Sequence, residues 1–137
     1  MKEALFILYV KDQSTSTAFY QQVLDSKPRL NVPGMTEFAL KDGCVLGLMP
    51  EEGIKQLLGD RLPDPAQARG IPRAELYLRV DDPAACHARA LAHGATEICG
   101  LAPRDWGDVA AYSLDPDCHV LVFARTASTL PKASRSC

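Results

Sequence analysis

No block of lysines and arginines runs anywhere in this chain, whose 15 Lys and Arg are outnumbered by 17 Asp and Glu for a formal charge of −2. Nothing therefore draws nucleic acid or an anionic membrane surface toward it, and neither is expected as a partner. Long apolar runs are missing as well. Ala4–Val10 falls well short of the roughly 20 residues that a membrane helix needs, and Lys11-Asp12 end it before any small-residue cleavage site. It reads as a first strand, not as a signal peptide. The five cysteines, Cys44, Cys86, Cys99, Cys118 and Cys137, are odd in number and include no CxxC pair. Disulfide frameworks belong mainly to small secreted domains, so reduced thiols in a cytoplasmic protein are expected here. Also absent are HExxH, paired histidines and any other cluster of metal-ligand spacing.

What is present is ordinary in amount and informative in order. The 137 residues, 47% of them apolar and 23% charged, suit one compact domain able to bury a core. The clearest stretch is IPRAELYLRVDDPAACHARALAHG, residues 71–94. Ala74, Leu76, Leu78 and Val80 alternate with Glu75, Tyr77 and Arg79, the period of a strand with one face on a core. Asp82 before Pro83 then reads as a cap before a first-turn proline, and Gly94 closes the alanine-rich helix that follows.

The rest of the chain yields two similar halves. Ala4–Val10 predicts a strand, and Asp12 or Ser14 caps a helix whose apolar positions are Ala18, Phe19, Val23 and Leu24, stopped by Pro28. Leu30–Val32, Thr36–Leu40 and Cys44–Met49 predict strands, the last two joined by the hairpin signal Lys41-Asp42-Gly43. After Ala74–Val80 and the helix Pro83–His93 come strands at Thr96–Cys99, Val109–Leu114 and Val120–Ala124, with Leu101–Gly107 as a loop. Each half is β-α-β-β-β, and Val10-Lys11-Asp12 answers Val80-Asp81-Asp82 seventy residues later. The fold class expected is α+β: a single domain over 1–124, with modules at about 1–49 and 73–124 and a linker at 50–72. Within that linker Glu51-Glu52 open a short helix carrying Ile54, Leu57 and Leu58, with Gly59 after it. The Ser/Thr/Ala-rich segment 125–137 is expected to be a flexible tail.

A tandem repeat of this kind resembles the vicinal-oxygen-chelate superfamily, which includes glyoxalase I, extradiol dioxygenases, fosfomycin-resistance enzymes and bleomycin-resistance proteins. The resemblance rests on LYVKD at Leu8–Asp12, AFYQQVL at Ala18–Leu24, LYLRVDD at Leu76–Asp82, His93-Gly94-Ala95, and DPDCHVLVF at Asp115–Phe123. It implies curled sheets forming a cup with helices outside, and a homodimer. It also implies four metal-ligand positions, which fall on Leu5, Glu75, Val122 and the neighbourhood of Gly47. Three of these have no donor side chain. Holding a Lewis-acid metal takes about three protein ligands, so the resemblance points to metal-free members such as the bleomycin-resistance binders, with no cofactor.

By strand parity Leu5, Ile7 and Tyr9, and in the second half Glu75, Tyr77 and Arg79, would line an apolar and aromatic wall with a few polar groups. Glu75 would receive a cationic ligand, or act as a general base if burial raised its pKa. The plainer alternative is that it pairs with Arg73 or Arg79, or faces water. In Arg104-Asp105-Trp106-Gly107-Asp108, the only tryptophan would be a stacking wall, with Arg104 and Asp108 on polar ends of a ligand. Alternatively Trp106 plugs the core. Tyr112 and Phe38 are assigned to the core. His87 and His93 are assigned to a solvated helix surface, and His119 to a cap or to solvent. Cys118 replaces the glycine of the family's DPDG turn, at about 1 kcal/mol if it keeps positive φ.

The site residues expected are thus Tyr9, Glu75, Tyr77, Arg79, Arg104, Trp106 and Asp108, with no metal ligand. The function expected is metal-independent binding of a small aromatic or cationic molecule. The alternatives are a lyase, isomerase or dioxygenase-type enzyme using Glu75, with Arg104 or Arg79 stabilising an anion, and a degenerate member acting through protein contacts.

Overall fold

The computed structural model describes residues 1–127 and 137, which fall into two compact units, Met1–Arg69 and Gly70–Cys137. In the first unit the elements are β1 (Ala4–Val10), α1 (Gln13–Val23), β2 (Leu30–Val32), β3 (Met35–Ala39), β4 (Cys44–Pro50) and α2 (Glu51–Leu58). Its sheet has the order β1-β4-β3-β2, with β1 parallel to β4 and the other neighbours antiparallel. The second unit contains β5 (Glu75–Arg79), α3 (Pro83–Ala92), β6 (Thr96–Pro103), β7 (Asp108–Leu114) and β8 (Val120–Thr126). Its order, β5-β8-β7-β6, repeats the pattern, including the parallel pair β5–β8. The duplication read from the sequence is thus carried out strand for strand, in an α+β fold.

Alternation explains the first core. Leu8 and Val10 of β1, Leu46 and Leu48 of β4, and Phe38 of β3 are buried on the side where α1 packs on β3 and β4. The helix meets them with Ser16, Phe19, Tyr20 and Val23, which recur at intervals of three and four. Ala18, expected on that face, is exposed, and Tyr20 takes its place. Asp12 is the cap: its carboxylate accepts from the Thr15 amide at 2.7 Å. The β3–β4 turn follows the hairpin signal, with φ of 50° at Asp42 and 78° at Gly43. Within the segment 50–72 the short helix forms, ended by Gly59, and Ile54 is buried where it meets β4 and β1.

In the second unit α3 packs on β7 and β8. Asp82 caps it through the Ala85 amide at 3.0 Å, and its buried residues Pro83, His87 and Ala90 form one stripe. His87 therefore corrects the expectation of a solvated histidine. It shares the sheet-facing stripe, and its Nε2 lies 2.8 Å from Glu97 Oε2 on β6. His93 is exposed as expected.

Two further differences concern the edges. β6 does not stop at Cys99 but runs to Pro103, with register shifts on both sides of Cys99 that let an irregular edge strand continue. β8 extends through Thr126, so Arg125 belongs to the sheet, while residues 128–136 of the expected tail lie outside the described residues. Cys99 lies beside Cys137, with Cα atoms 5.2 Å apart, and Cys44, Cys86 and Cys118 are free thiols. No helix among the described residues is long and apolar enough to cross a membrane.

Candidate functional site

Four of the residues singled out in the sequence meet on one face of the second sheet. The loop between β6 and β7 is a tight turn: the Arg104 amide donates to the Asp108 carbonyl at 2.7 Å, and the Gly107 amide donates to the Arg104 carbonyl at 3.2 Å. Gly107 has φ of 94°, which closes a three-residue loop of Asp105, Trp106 and Gly107. This puts Asp108 at the start of β7 and Trp106 at the tip, half exposed (50%), so the indole does not plug the core.

Asp108 is the centre of the cluster. Its side chain is 3% exposed, and its Oδ2 accepts from the Tyr77 hydroxyl at 2.7 Å and from Arg79 Nε at 3.1 Å. The Trp106 indole N–H in turn donates to the Tyr77 oxygen at 3.1 Å. Burial, and then the bond to the Asp108 carboxylate, push the Tyr77 hydroxyl up to about 12. A buried carboxylate is costly unless paired, and Tyr77 and Arg79 provide the pairing. The Arg79 side chain remains 64% exposed and lies over the Tyr77 ring, 5.6 Å from its centroid.

Beneath the polar groups lies a floor of Ala110, Val122 and Ala124, all buried, with Tyr77, Tyr112 and Val120 packed against it. Tyr112, assigned above to the core, thus belongs to this face. The signal for it was available, because Asp108, Ala110 and Tyr112 alternate along β7. Arg104 is buried at 3% exposure. Its guanidinium sits 5.3 Å from the Tyr112 ring centroid and donates to the carbonyls of Ala110 (3.0 Å) and Gly100 (3.4 Å). It braces β6 and β7 while helping to cover the floor.

Glu75 stands at the other end of β5, exposed, paired in register with Val120. It joins neither Arg73 nor Arg79 in an ion pair among the described residues, since Arg79 goes to Asp108. Burial, and next the Glu75 charge, raise the Tyr112 hydroxyl above the usual tyrosine range. Tyr9 lies in the first unit, exposed on β1 beside Leu5 and Ile7. His119 is held in its turn, its Nδ1 3.0 Å from the buried Asp115 carboxylate.

The family's four metal-ligand positions can be tested against the local packing. Val122 is fully buried in the apolar floor. A Cβ added at Gly47 would stand 2.9 Å from Ile7 Cγ1, so the place is shaped for a residue without a side chain. Leu5 offers no donor atom, and among the described residues no three His, Cys, Asp or Glu side chains converge on a point where an ion could sit. These residues do not fit the metal.

The first unit has a different concavity, an open cleft of about 470 Å³ between α1 and β2. Its polar groups serve each other. Gln13 Nε2 donates to the Val32 carbonyl at 2.8 Å and to Thr36 Oγ1 at 2.9 Å, and Gln13 Oε1 accepts from the Gly34 amide at 2.9 Å. Thr36 gives its single hydroxyl proton to Asn31 at 3.2 Å, which leaves Thr17 to donate to Thr36 at 2.8 Å. The network pins the β2–β3 turn to α1.

Comparison with known proteins agrees with this architecture. The chain resembles a glyoxalase-related enzyme from Fulvimarina pelagi with a TM-score of 0.76 and 19% identity, over 96% of this chain and 97% of that one. A glyoxalase/bleomycin resistance protein/dioxygenase family enzyme from Burkholderia phytofirmans PsJN gives 0.77 and 19%, over 90% and 97%. A protein from Agrobacterium tumefaciens gives 0.71 and 26%, over 93% and 99%. No curated protein matches the sequence. The family model described as Glyoxalase/Bleomycin resistance protein/Dioxygenase superfamily matches residues 4–123. With that match added to the paired β-α-β-β-β sheets, the chain belongs to the glyoxalase/bleomycin resistance protein/dioxygenase superfamily.

Proposed function

We propose that this protein binds a small aromatic or cationic molecule without a metal, and holds or carries it without changing it. The observation that carries the reading is the Tyr77–Asp108–Trp106 cluster, a hydrogen-bonded aromatic and charged surface on an apolar floor. Few fixed polar groups over an apolar base are what a small-molecule site needs. One face of Tyr77 carries Arg79 and one face of Tyr112 carries Arg104, so Trp106 offers the most open ring. An aromatic ligand stacks there, and Glu75, which has no ion pair among the described residues, meets its positive end. Glu75 and Arg79 lie four residues apart on one strand face, roughly 13 Å. A ligand touching both Glu75 and the cluster is therefore drug-sized, not a single small ion. Metal independence rests on the missing donors at Leu5, Gly47 and Val122.

The second subunit of a homodimer is part of the proposal. Leu5, Phe6, Ile7 and Tyr9 expose a run of large apolar side chains along β1, a surface that a partner subunit would cover.

An enzyme using Glu75 as a base is the alternative, favoured by the same exposed carboxylate. Against it, the Arg79 charge is met by Asp108, and Arg104 is turned to backbone carbonyls, so neither is arranged to receive an anion. A thermal-shift screen of aromatic amines and planar cations, on protein analysed for metals, decides between the readings. Stabilisation that is lost in Trp106→Ala and weakened in Glu75→Gln supports binding at this face. Tightly held Zn, Mn, Fe or Ni at one per chain, or turnover of a stabilising ligand, would sink it.

A further inference from the structure

We infer that Asp108 selects among aromatic ligands, holding those whose ring carries a neutral N–H donor, a role that rests on the binding reading above. The Asp108 side chain is 3% exposed, and its two oxygens differ. Oδ2 accepts from the Tyr77 hydroxyl at 2.7 Å and from Arg79 Nε at 3.1 Å, with Arg79 Nη2 also 3.1 Å away. Oδ1 accepts no hydrogen bond among the described residues. A buried carboxylate oxygen without a donor is costly, so Oδ1 is where a donor from outside the chain gains most.

Register builds the place. Arg79 and Ala110 flank Ala124 from either side, and Tyr77 pairs with Val122, two residues before Ala124 on β8. Asp108 shares the face of Ala110 by alternation along β7. The small side chain of Ala124 lets Asp108 reach across β8 to Tyr77 and Arg79.

The donors of the cluster are then spent within it. Tyr77 has one hydroxyl proton and Trp106 one N–H, and these go to Asp108 and to the Tyr77 oxygen. Arg79 already balances the Asp108 charge, so a second cation here would meet Arg79 at close range. A neutral N–H avoids that repulsion and still gains a charge-assisted bond to the carboxylate. The negative charge without an ion pair among the described residues is Glu75, at the other end of β5, and the positive end of the ligand belongs there. The ring itself lies on the half-exposed Trp106 indole. What fits is an aromatic ring with a neutral N–H and a flexible cationic arm.

The test titrates three compounds into the full chain by calorimetry: an indole carrying a four-carbon amine arm, its N-methyl derivative, and the benzofuran of the same shape. Methylation removes the N–H, and the benzofuran puts an acceptor in its place without added bulk. Both are expected to bind about 10-fold more weakly than the indole. All three are expected to lose affinity in Trp106→Ala. In Asp108→Asn the amide carbonyl answers Tyr77 and Arg79 and leaves the NH2 for the ligand. There the indole is expected to lose its advantage over the benzofuran, with the circular dichroism of the chain unchanged. The wild-type comparison decides even where Asp108→Asn does not fold. Equal affinity of the three compounds for the wild-type chain, still weakened by Trp106→Ala, would overturn the role of Asp108 and leave the binding reading standing. So would an undiminished indole advantage in Asp108→Asn. No binding by any of the three would overturn both.

Discussion

Cys118 holds φ at 67°, a left-handed conformation that glycine adopts at little cost and cysteine does not. Its sulfur is also close to Gly70, where an added Cβ would lie 3.2 Å away. Cys118→Gly is therefore expected to stabilise the fold by about 1 kcal/mol, read as a shift of the denaturation midpoint at constant slope. Tyr77 supports a second prediction at this scale. Its folded pKa of about 12 lies above the ordinary 10.0, so in that window the folded chain keeps a proton that the unfolded chain has lost. The associated stability is complete below about pH 10 and is lost as pH rises toward 12. Tyr77→Phe should flatten this alkaline loss and remove one late-titrating tyrosinate absorbance; an unchanged titration would contradict the Asp108 contact.

At the scale of elements, helix caps and turns provide the sharpest expectations. Asp82 satisfies an orphan amide of α3 through its carboxylate. Asp82→Ala should cost about 1 kcal/mol, measured by chemical denaturation. The Thr15 amide holds the Asp12 carboxyl below the usual carboxylate range, so its contribution is present at neutral pH and fades as pH falls through that lowered value. In the β6–β7 hairpin Gly107→Ala meets the positive φ of 94° and should destabilise by about 1 kcal/mol, while the half-exposed Trp106→Ala should change stability little. That contrast separates the frame of the loop from the ring it displays.

For the whole molecule, the proposed homodimer is open to sedimentation. Replacing the exposed Leu5 by Glu puts a charge into the apolar run of β1 and is expected to yield monomer, with the secondary structure retained. A wild-type chain that sediments as a monomer at micromolar concentration would remove the partner subunit from the proposal.

Local chemistry was enough to announce most elements: the Asp12 and Asp82 caps, the Asp42-Gly43 turn, the period of two in Glu75–Arg79, and the repeat of β-α-β-β-β. Each depends on residues a few positions apart, which is the range over which side chains dictate backbone conformation. The grouping of Tyr77, Arg79, Trp106 and Asp108 was legible only as two separate candidates, since strand parity says which way a side chain faces but not what stands across from it. The alternation along β7 already put Tyr112 on the face of Asp108, but only the tertiary structure decided that Arg79 answers Asp108 and not Glu75. Packing decided that His87 turns inward, because its helical stripe is shared with Pro83 and Ala90. Contacts between distant residues, such as that of Tyr77 with Asp108, were decided by the sheet order, which no local pattern encodes.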